Sequence, residues 1–370
     1  MNAIPLNIEG AVGQRYSQAS QQAEAALCCP VDYDAQWLKV LPKELIERDY
    51  GCGDPSKWVQ AGDHVLDLGS GGGKICYIAS QVVGADGSVT GVDMNDDMLT
   101  LARAYQKEIA ESIGWDNVSF YKGKIQDLKL DMQQFESWLQ EHPVSDTNGW
   151  LLAEQQAEQL RNTQPMITDN SIDVVVSNCV LNLVNPADRH QLFAELYRVL
   201  KPGGRAVISD IVSNKPVPEG LRNDAKLWSG CISGAFEDHQ FIQAFVNAGL
   251  GKVEILDWQT DPWKVVEGIE FRSMTLRAWK PLESEDQTDS GQSAIYRGPW
   301  QKVVDDDGNV LLRGERIGVT DGQIKEYERA PYDADLILLN SEGRSTLTNQ
   351  SPSTSELPIA DYCSPDGECC

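Results

Sequence analysis

The chain contains 370 residues, a length that accommodates one large domain and a second, smaller one. Its net charge of -25 and isoelectric point near 4.5 argue against nucleic-acid binding, which needs clustered Lys and Arg, and against attraction to an anionic membrane. No run of about 18 apolar residues is present, and the N-terminal sequence lacks the basic start and apolar core of a secretion signal.

The cysteine content predicts free thiols. Nine cysteines is an odd number, and the adjacent pairs Cys28-Cys29 and Cys369-Cys370 are poorly placed for a disulfide framework. Without a secretion signal, such thiols are expected to be reduced, catalytic or metal-binding. We therefore expect a cytoplasmic protein.

Residues 1–60 are predicted to form an N-terminal segment of helices and loops. Pro42 to Asp49 has the pattern of a short amphipathic helix with Pro at its start. In the loop that follows, Gly51 and Gly53 flank Cys52. This flanking predicts a thiol on a bendable, accessible segment that could swing over a site elsewhere.

Residues 61–280 are predicted to form the main domain, with a helical insertion at about 131–165 that covers the sheet edge. Strand and helix patterns alternate through it, which is typical of an α/β fold with a mostly parallel, doubly wound sheet, and its closing strand pair predicts an antiparallel last strand. The predicted strands are His64–Leu68, Ser88–Val92, Val118–Tyr121, Ile172–Val176, Arg205–Asp210, Val253–Trp258 and Glu270–Ala278. One predicted helix between them starts at Lys74. The other predicted helices are Asn95–Ile113, Pro186–Leu200 and Phe236–Ala248.

The C-terminal part is predicted to be separate from this domain. Residues 281–293 are acidic and polar, as in a linker, and 294–339 have the pattern of a small β unit. Asp307-Gly308 gives a strong hairpin signal, and Asp321-Gly322 a weaker one. Residues 340–370 are predicted to be a disordered tail that contains Cys363, Cys369 and Cys370.

The first strand leads into a glycine-rich turn that predicts a nucleotide-like cofactor. Asp67 on the strand gives the pattern Asp-x-Gly-x-Gly-x-Gly, which differs from the Gly-x-Gly-x-x-Gly of dinucleotide-binding proteins. Asp93, at the end of the next strand, is placed to bind a ribose diol. The pattern resembles class I S-adenosylmethionine-dependent methyltransferases, and a nicotinamide enzyme is the alternative.

Three cysteines are predicted to converge beside that turn. Cys76 lies in the first turn of the next helix, Cys179 follows the fourth strand, and Cys231 follows the fifth. In an open parallel sheet these positions share the edge where ligands bind. Small apolar filler and a structural zinc are the alternatives, although no Cys-x-x-Cys spacing supports zinc. Three thiolates select a thiophilic ion, such as trivalent arsenic.

Cofactor and cysteine motifs together resemble those of the arsenite S-adenosylmethionine methyltransferases over residues 48–280. The matching segments are Tyr50-Gly51-Cys52-Gly53, Leu66-Asp67-Leu68-Gly69-Ser70-Gly71, Cys76-Tyr77, Gly91-Val92-Asp93-Met94, Ser177-Asn178-Cys179-Val180-Leu181-Asn182-Leu183 and Cys231-Ile232-Ser233-Gly234-Ala235. The chain departs from the family pattern at Gly230 and Gln126, where the family often has an acid.

The resemblance implies a role for each motif. It implies that Cys179 and Cys231 hold arsenic with Cys76 as the third thiol, and that Cys52 and Cys76 cycle through a disulfide. It places S-adenosylmethionine against residues of the turn and of the neighbouring strand ends. These are Asp67, Gly69, Ser70, Gly71 and Gly73 around the methionine part, Asp93 at the ribose, Met94, Ile125 and Gln126 near the adenine, and Asn178 beside the amino-acid end.

The expected function is transfer of a methyl group to trivalent arsenic, supplied as arsenite or as an arsenic–thiol conjugate. A thiol reductant of the glutathione or thioredoxin type would return the electrons. Cys363, Cys369 and Cys370 would then either capture arsenic or be incidental thiols. The alternative functions are methylation of a small carbon, oxygen or sulfur acceptor such as a quinone or sterol, and non-catalytic sequestration of a metalloid.

Overall fold

The computed structural model describes residues 7–22, 24, 31–48, 50–282 and 287–345. The chain divides into two compact units, Met1–Leu282 and Glu283–Cys370. Among the described residues, no helix is long and apolar enough to cross a membrane.

The first unit begins with helices that precede the sheet. These are α1 (Ile8–Gln21), α2 (Ala35–Leu38), α3 (Lys43–Glu47) and a 3-10 helix (Pro55–Trp58). Asn7 caps α1 by accepting a hydrogen bond from the backbone N–H of Gly10 at 3.1 Å. α3 follows Pro42 and is shorter than predicted. The pair Cys28-Cys29 lies outside the described residues.

One nine-stranded sheet forms the centre of this unit. Its strands are β1 (His64–Leu68), β2 (Ser88–Asp93), β3 (Val118–Lys122), β4 (Ile172–Asn178), β5 (Leu200–Ser213), β6 (Phe236–Glu237), β7 (Gly251–Trp258), β8 (Lys264–Val266) and β9 (Ile269–Trp279). The main order is β3-β2-β1-β4-β5-β9-β7; β9 is antiparallel to both β5 and β7, and the first five strands are parallel. The predicted class I methyltransferase fold, with its antiparallel last strand, is confirmed.

Helices cover both faces of the sheet. They are α4 (Lys74–Val83), α5 (Asp96–Ala104), α6 (Gln106–Ile113), α7 (Met132–Glu141), α8 (Thr147–Thr163), α9 (Arg189–Val199), α10 (Glu219–Arg222), α11 (Ala225–Trp228) and α12 (Asp238–Asn247). One apolar layer packs α4, α5 and α6 against the sheet, and a second packs α9 and α12 against the other face. Central strands that are buried on both faces need near-continuous apolar sequence, which is why β1 and β4 could be predicted.

The region after β2 differs from its prediction in detail. The expected single helix Asn95–Ile113 is two helices, α5 and α6, separated at Tyr105. Asn95 caps α5, because its side chain accepts hydrogen bonds from two backbone N–H groups of the first turn. The insertion consists of α7 and α8, and α7 packs against the edge strand β3.

The start of β5 also differs from its prediction. The strand was predicted to begin at Arg205, but β5 already begins at Leu200, which pairs with Ile172. The pairing register then shifts. A Cβ at Gly204 would lie 2.9 Å from the carbonyl oxygen of Lys201, so the irregularity requires glycine there. β8, a short strand paired with β9, was not predicted.

The second unit contains two small sheets. Its elements are β10 (Gln292–Tyr296), β11 (Lys302–Val304), β12 (Val310–Leu312), β13 (Arg316–Val319), α13 (Asp321–Tyr327) and β14 (Leu336–Leu339). β11 and β12 form the predicted hairpin around Asp307-Gly308, and β10 lies between β13 and β14. The second predicted hairpin is wrong, because Asp321 starts α13, with a capping box between Thr320 and Gln323. Residues 346–370, with the tail cysteines, lie outside the described residues.

Lys280, after β9, is predicted to stabilise the first unit. Its buried amino group donates to the carbonyl oxygens of Tyr197 at 2.9 Å and Leu200 at 2.8 Å, and to Asn170 Oδ1 at 2.7 Å. Lys280→Met removes this donor and leaves buried acceptors unsatisfied, so the free energy of unfolding should fall by about 2–3 kcal/mol.

Urea denaturation followed by the helical circular dichroism signal measures this effect, since most helices belong to the first unit. The control is Lys107→Met, because the Lys107 side chain is 91% exposed. Equal unfolding midpoints for the two variants would contradict the assignment.

Candidate active site

A cleft opens at the carboxyl ends of β1, β2 and β4. Its volume is about 1040 Å³, including the open mouth. The glycine turn after β1 forms one wall, Asp93 and Met94 after β2 form another, and the start of the segment after β4 forms a third. This is the edge at which ligands bind in open α/β sheets.

The glycine turn needs its glycines for different reasons. Gly69, Gly71 and Gly73 all have positive φ, at 72°, 51° and 87°. A Cβ at Gly69 would also lie 2.4 Å from Val180, which follows β4. Gly73, which is predicted to contact the cofactor, is not among the residues that line the cleft. It starts α4, and a Cβ there would lie 2.8 Å from the ring of Phe120, so this glycine permits close helix–sheet packing.

The other cofactor residues implied by the family resemblance do border the cleft. Gly72, which was not predicted, takes the place of Gly73 in the lining. The predicted residues that line the cleft are Asp67, Gly69, Ser70, Gly71, Asp93, Met94, Ile125, Gln126 and Asn178.

The polar groups of the turn fit S-adenosylmethionine. Asp93 accepts hydrogen bonds from the backbone N–H of Gly71 at 2.9 Å and of Asn95 at 2.8 Å, which hold its carboxylate at the cleft wall. Burial raises the pKa of Asp93, and those hydrogen bonds oppose the shift. The buried hydroxyl of Ser70 has no hydrogen-bond partner among the described residues. It lies beside β2, since a Cβ at Gly91 would be 2.8 Å from this oxygen.

Helix α1 forms a wall of the cleft that the sequence did not predict. Glu9, Gly13 and Tyr16 line the cavity from this helix. Asn95 ties the helix down, since its Nδ2 donates to the carbonyl oxygen of Gly13 at 3.0 Å. Lys124 forms a salt bridge with Glu9 at 2.8 Å. The polar sequence of α1 predicts a surface helix and carries no signal for its docking site.

Three thiols lie together behind the cleft. The Cys179 side chain interacts with those of both Cys231 and Cys52, and Cys231 Sγ lies 3.1 Å from the carbonyl oxygen of Cys179. The exposed fractions of Cys52, Cys179 and Cys231 are 5%, 7% and 4%. Since Cys179 also lines the cleft, this three-thiol cluster adjoins the cofactor wall.

Two cysteines of the cluster have a strained backbone. The φ angles of Cys179 and Cys231 are 64° and 60°. These values lie in the left-handed region, which residues other than glycine and asparagine rarely adopt. Such a conformation costs on the order of 1–3 kcal/mol and persists only where the surrounding structure imposes it. Both strained residues aim their thiols at the same cluster, as expected of a functional site.

The Cys52 loop is rigidly packed, so the prediction of a bendable, accessible thiol is wrong. Asn178 Oδ1 accepts hydrogen bonds from the backbone N–H groups of Cys52 at 2.8 Å and Gly53 at 3.1 Å. A Cβ at Gly51 would lie 2.1 Å from Asn178, and a Cβ at Gly53 would lie 2.5 Å from Ser209. The two glycines therefore allow close contact rather than motion.

Cys76 does not join the cluster, so its predicted convergence with Cys179 and Cys231 is wrong. Its thiol lies in the apolar layer under α4 and donates to Asp67 Oδ2 at 3.2 Å. Cys52 takes its place and packs in a different apolar layer with Cys179 and Cys231. Position in the first turn of a helix did not reveal which side of the sheet the side chain faces.

The environment raises the pKa of two thiols of the cluster. The hydrogen bonds of Cys179 with Cys231 and Cys52, together with burial, raise the pKa of the Cys179 thiol well above its usual value. For Cys231, the hydrogen bond with Cys179 lowers the pKa, but burial and the neighbouring Asp210 and Cys52 outweigh it, so the net direction is upward. Neutral thiols at Cys179 and Cys231 are therefore the expected state before a ligand arrives.

Asp210 is a further group beside the cluster that the sequence analysis missed. Its carboxylate oxygen, Cys52 Sγ and Cys179 Sγ all lie within 4.8 Å of one another. Asn182 Nδ2 donates to Asp210 Oδ1 at 2.7 Å, and burial raises the pKa of Asp210 to about 7. Only its place at a strand end could have indicated this role.

Arg189 of α9 holds together the two loops that carry the strained cysteines. Its Nη2 donates to the carbonyl oxygen of Gly234 at 2.6 Å and to that of Asn182 at 3.3 Å. Gly234 follows Cys231 in the chain, and Asn182 follows Cys179. Its guanidinium carbon lies 4.2 Å from the centre of the Phe236 ring. This buried contact fixes the separation of the loops.

Comparisons with known proteins agree with this arrangement. A family model described as a methyltransferase domain matches residues 60–165 and 153–259, and one described as a domain of unknown function matches residues 283–365. An arsenite methyltransferase of Aquipseudomonas alcaligenes is 33% identical over 76% of this chain and 74% of its own length. The arsenite methyltransferase of Mus musculus is 29% identical over 85% of this chain and 79% of its own length.

A solved structure extends the likeness to three dimensions. The arsenic(III) S-adenosylmethionine methyltransferase from Chlamydomonas reinhardtii has 25% sequence identity and a TM-score of 0.57, over 86% of this chain and 98% of its own. Fold, cleft and sequence identity lead to the same conclusion. The chain belongs to the arsenite methyltransferase family, within the class I S-adenosylmethionine-dependent methyltransferases.

Proposed function

We propose that this protein methylates trivalent arsenic held by the thiols of Cys52, Cys179 and Cys231. The observation that carries the proposal is the double position of Cys179, which lines the cleft and belongs to the three-thiol cluster. An arsenic atom on this sulfur would lie at the boundary between cleft and cluster. Reactions between two bound groups depend on such proximity.

The three-thiol cluster suits capture of arsenite. Each thiol can release its proton to one hydroxide of arsenous acid, so three arsenic–sulfur bonds form and three water molecules leave without a net change of charge. Soft sulfur ligands favour soft, thiophilic ions over hard ones. Burial of the cluster then excludes water from the bound substrate.

The cleft residues hold the methyl donor. When bound, S-adenosylmethionine supplies the methyl group of its sulfonium. The turn at Gly69 to Gly72 lines the cleft, and Asp93 offers a carboxylate to the ribose. Asn178 connects the two halves of the site, because it lines the cleft and also binds the Cys52 loop.

The redox balance requires thiols. Bonding a methyl group through the arsenic lone pair raises the formal oxidation state of the substrate by two. Oxidation of two thiols to one disulfide returns those two electrons. We propose that a thiol reductant of the glutathione or thioredoxin type then reduces the disulfide.

A reducing compartment follows from that requirement. The described cysteines, Cys52, Cys76, Cys179 and Cys231, are all free thiols. The reaction needs the three cluster thiols reduced in every cycle, so we propose a cytoplasmic enzyme whose activity contributes to arsenic detoxification.

Cysteine variants test the identity of the arsenic ligands. We expect Cys52→Ser, Cys179→Ser and Cys231→Ser each to lower the first-turnover rate of methyl transfer to arsenite by about 10²-fold or more, because loss of one ligand misplaces the substrate. Cys76→Ser should keep its arsenic binding and its first turnover. Rapid-quench assays with labelled S-adenosylmethionine and excess enzyme measure this step before any disulfide must be reduced.

The outcomes separate the rival functions. Equal rates in the wild type and in Cys179→Ser would exclude arsenic methylation at this cluster and favour another acceptor. Arsenic binding with no methyl transfer in the wild type would indicate sequestration. Loss of arsenic binding in Cys76→Ser alone would restore the ligand role expected from the sequence.

The close packing of the Cys52 loop gives a second test. A Cβ at Gly53 would lie 2.5 Å from Ser209 Oγ, so Gly53→Ala should displace Cys52 and lower arsenic affinity by on the order of tenfold. Fluorescence or calorimetric titration with arsenite measures the affinity. The matched control is Gly220→Ala, because a Cβ at Gly220 meets no atom within 4 Å. Unchanged affinity in Gly53→Ala would show that the loop is not held as described.

A further inference from the structure

The three-thiol cluster has a fourth neighbour that trivalent arsenic does not need. Asp210 is fully buried, on β5, and its carboxylate lies within 4.8 Å of the sulfurs of Cys52 and Cys179. Arsenic bound by three sulfurs keeps a lone pair in place of a fourth ligand. A divalent thiophilic cation has no such lone pair and takes four ligands in a tetrahedron.

The spacing of these atoms suits such a cation. In a tetrahedral zinc site with one oxygen ligand and sulfur ligands, neighbouring ligand atoms lie about 3.6–3.8 Å apart. The 4.8 Å limit on Cys52 Sγ, Cys179 Sγ and the Asp210 oxygen leaves only small side-chain rotations to reach those distances. Cys231 Sγ interacts with Cys179 but lies outside this 4.8 Å group, so its side chain would have to move toward the other three ligand atoms to become the fourth ligand.

The hydrogen bonds of Asp210 fix its orientation as they would for a metal ligand. Oδ1 accepts from Asn182 Nδ2 at 2.7 Å and from the backbone N–H of Ile211 at 2.8 Å. Oδ2 accepts from the backbone N–H of Asn182 at 3.2 Å. Carboxylates that ligate a metal are typically oriented by hydrogen bonds in this way, and their remaining lone pairs bind the metal.

Asp210 also lacks the partner that a buried carboxylate usually has. Within the part of the chain that the structure describes, no Lys, Arg or His forms a salt bridge with it, and Arg189 acts on it only through its longer-range charge. Buried carboxylates are usually paired with a cation or coordinate a metal. A cation bound at the cluster would therefore meet a buried carboxylate that has no direct ion-pair partner among the described residues.

We propose that Cys52, Cys179, Cys231 and Asp210 form a binding site for a soft divalent cation such as Zn²⁺ or Cd²⁺, which competes with arsenic for the same sulfurs. The cation would protect the thiols when no arsenic is present. It would block methylation when it is in excess. The site does not depend on methyl transfer, so it stands or falls separately from the proposed function.

Cd²⁺ is the probe, because cadmium–thiolate bonds absorb in the ultraviolet. The background is the full chain with Cys28, Cys29, Cys363, Cys369 and Cys370 changed to Ser, since those thiols would also bind cadmium. Titration at neutral pH should show one Cd²⁺ per chain, and arsenite should displace it. Cys179→Ser should abolish the absorption, whereas Cys76→Ser should keep it.

Asp210→Asn separates the cation from arsenic. This substitution keeps the shape of the side chain and removes its charge, so Cd²⁺ affinity should fall by about tenfold or more. Arsenite affinity should change by less than about threefold, since arsenic bonds to sulfur alone. Equal Cd²⁺ affinity in the wild type and in Asp210→Asn, or cadmium and arsenite bound at the same time, would overturn the proposal.

A measurement on the unaltered aspartate covers the case in which Asp210→Asn fails to fold. The chemical shift of bound cadmium in NMR moves with the number of sulfur ligands. A shift in the range of three sulfurs and one oxygen supports the site. A shift in the range of four sulfurs, or signals from several sites, would contradict it.

Discussion

The site depends on the side chain of Asn178 at the end of β4. Its oxygen binds two consecutive backbone N–H groups of the Cys52 loop, and its Nδ2 donates to the carbonyl oxygen of Gly53 at 2.7 Å. The next residue is Cys179, in the left-handed conformation. Asn178 thus lines the cleft, binds the loop that carries Cys52 and directly precedes Cys179. This clamp acts together with Ser273 on β9, whose Oγ donates to the carbonyl oxygen of Cys52 at 2.6 Å, to fix the loop against the sheet.

The cluster lowers the stability of the folded protein, and the surrounding packing offsets that loss. Two cysteines have strained backbones, and burial keeps both thiols and Asp210 from charging freely. Arg189 joins the two loops, and Asn182 fixes Asp210. A protein that needed only apolar filler would gain nothing from these contacts. Strain and buried polar groups at one place indicate that the local structure serves a ligand.

Most of the fold could be predicted because strand periodicity and the glycine turn are local signals. Details that depend on contacts between residues distant in the sequence could not be predicted. The break at Tyr105 lies inside a continuous helical pattern, and Asp321-Gly322 resembles a turn although the capping residue Thr320 starts a helix there. The docking of α1 depends on partners such as Asn95, which the sequence of α1 does not reveal.

For the site, strand ends were easier to predict than side-chain directions. The positions of Cys179 and Asp93 follow from sheet topology, and both border the cleft as expected. Cys76 was misplaced because helix phase, rather than chain position, decides which layer a side chain enters. The flanking glycines of Cys52 suggested motion, but they permit contact with Asn178 and Ser209. A glycine in the sequence therefore does not show whether a loop is mobile or closely packed.

The most direct test of the central claim is the number of sulfur atoms bonded to arsenic, measured by X-ray absorption on the arsenite-loaded protein. The five cysteines outside the described residues are changed to Ser, so that only Cys52, Cys76, Cys179 and Cys231 can bind. We predict three sulfur ligands in this protein and in its Cys76→Ser variant, and two after Cys52→Ser. Three sulfurs after Cys52→Ser, with two after Cys76→Ser, would contradict the cluster.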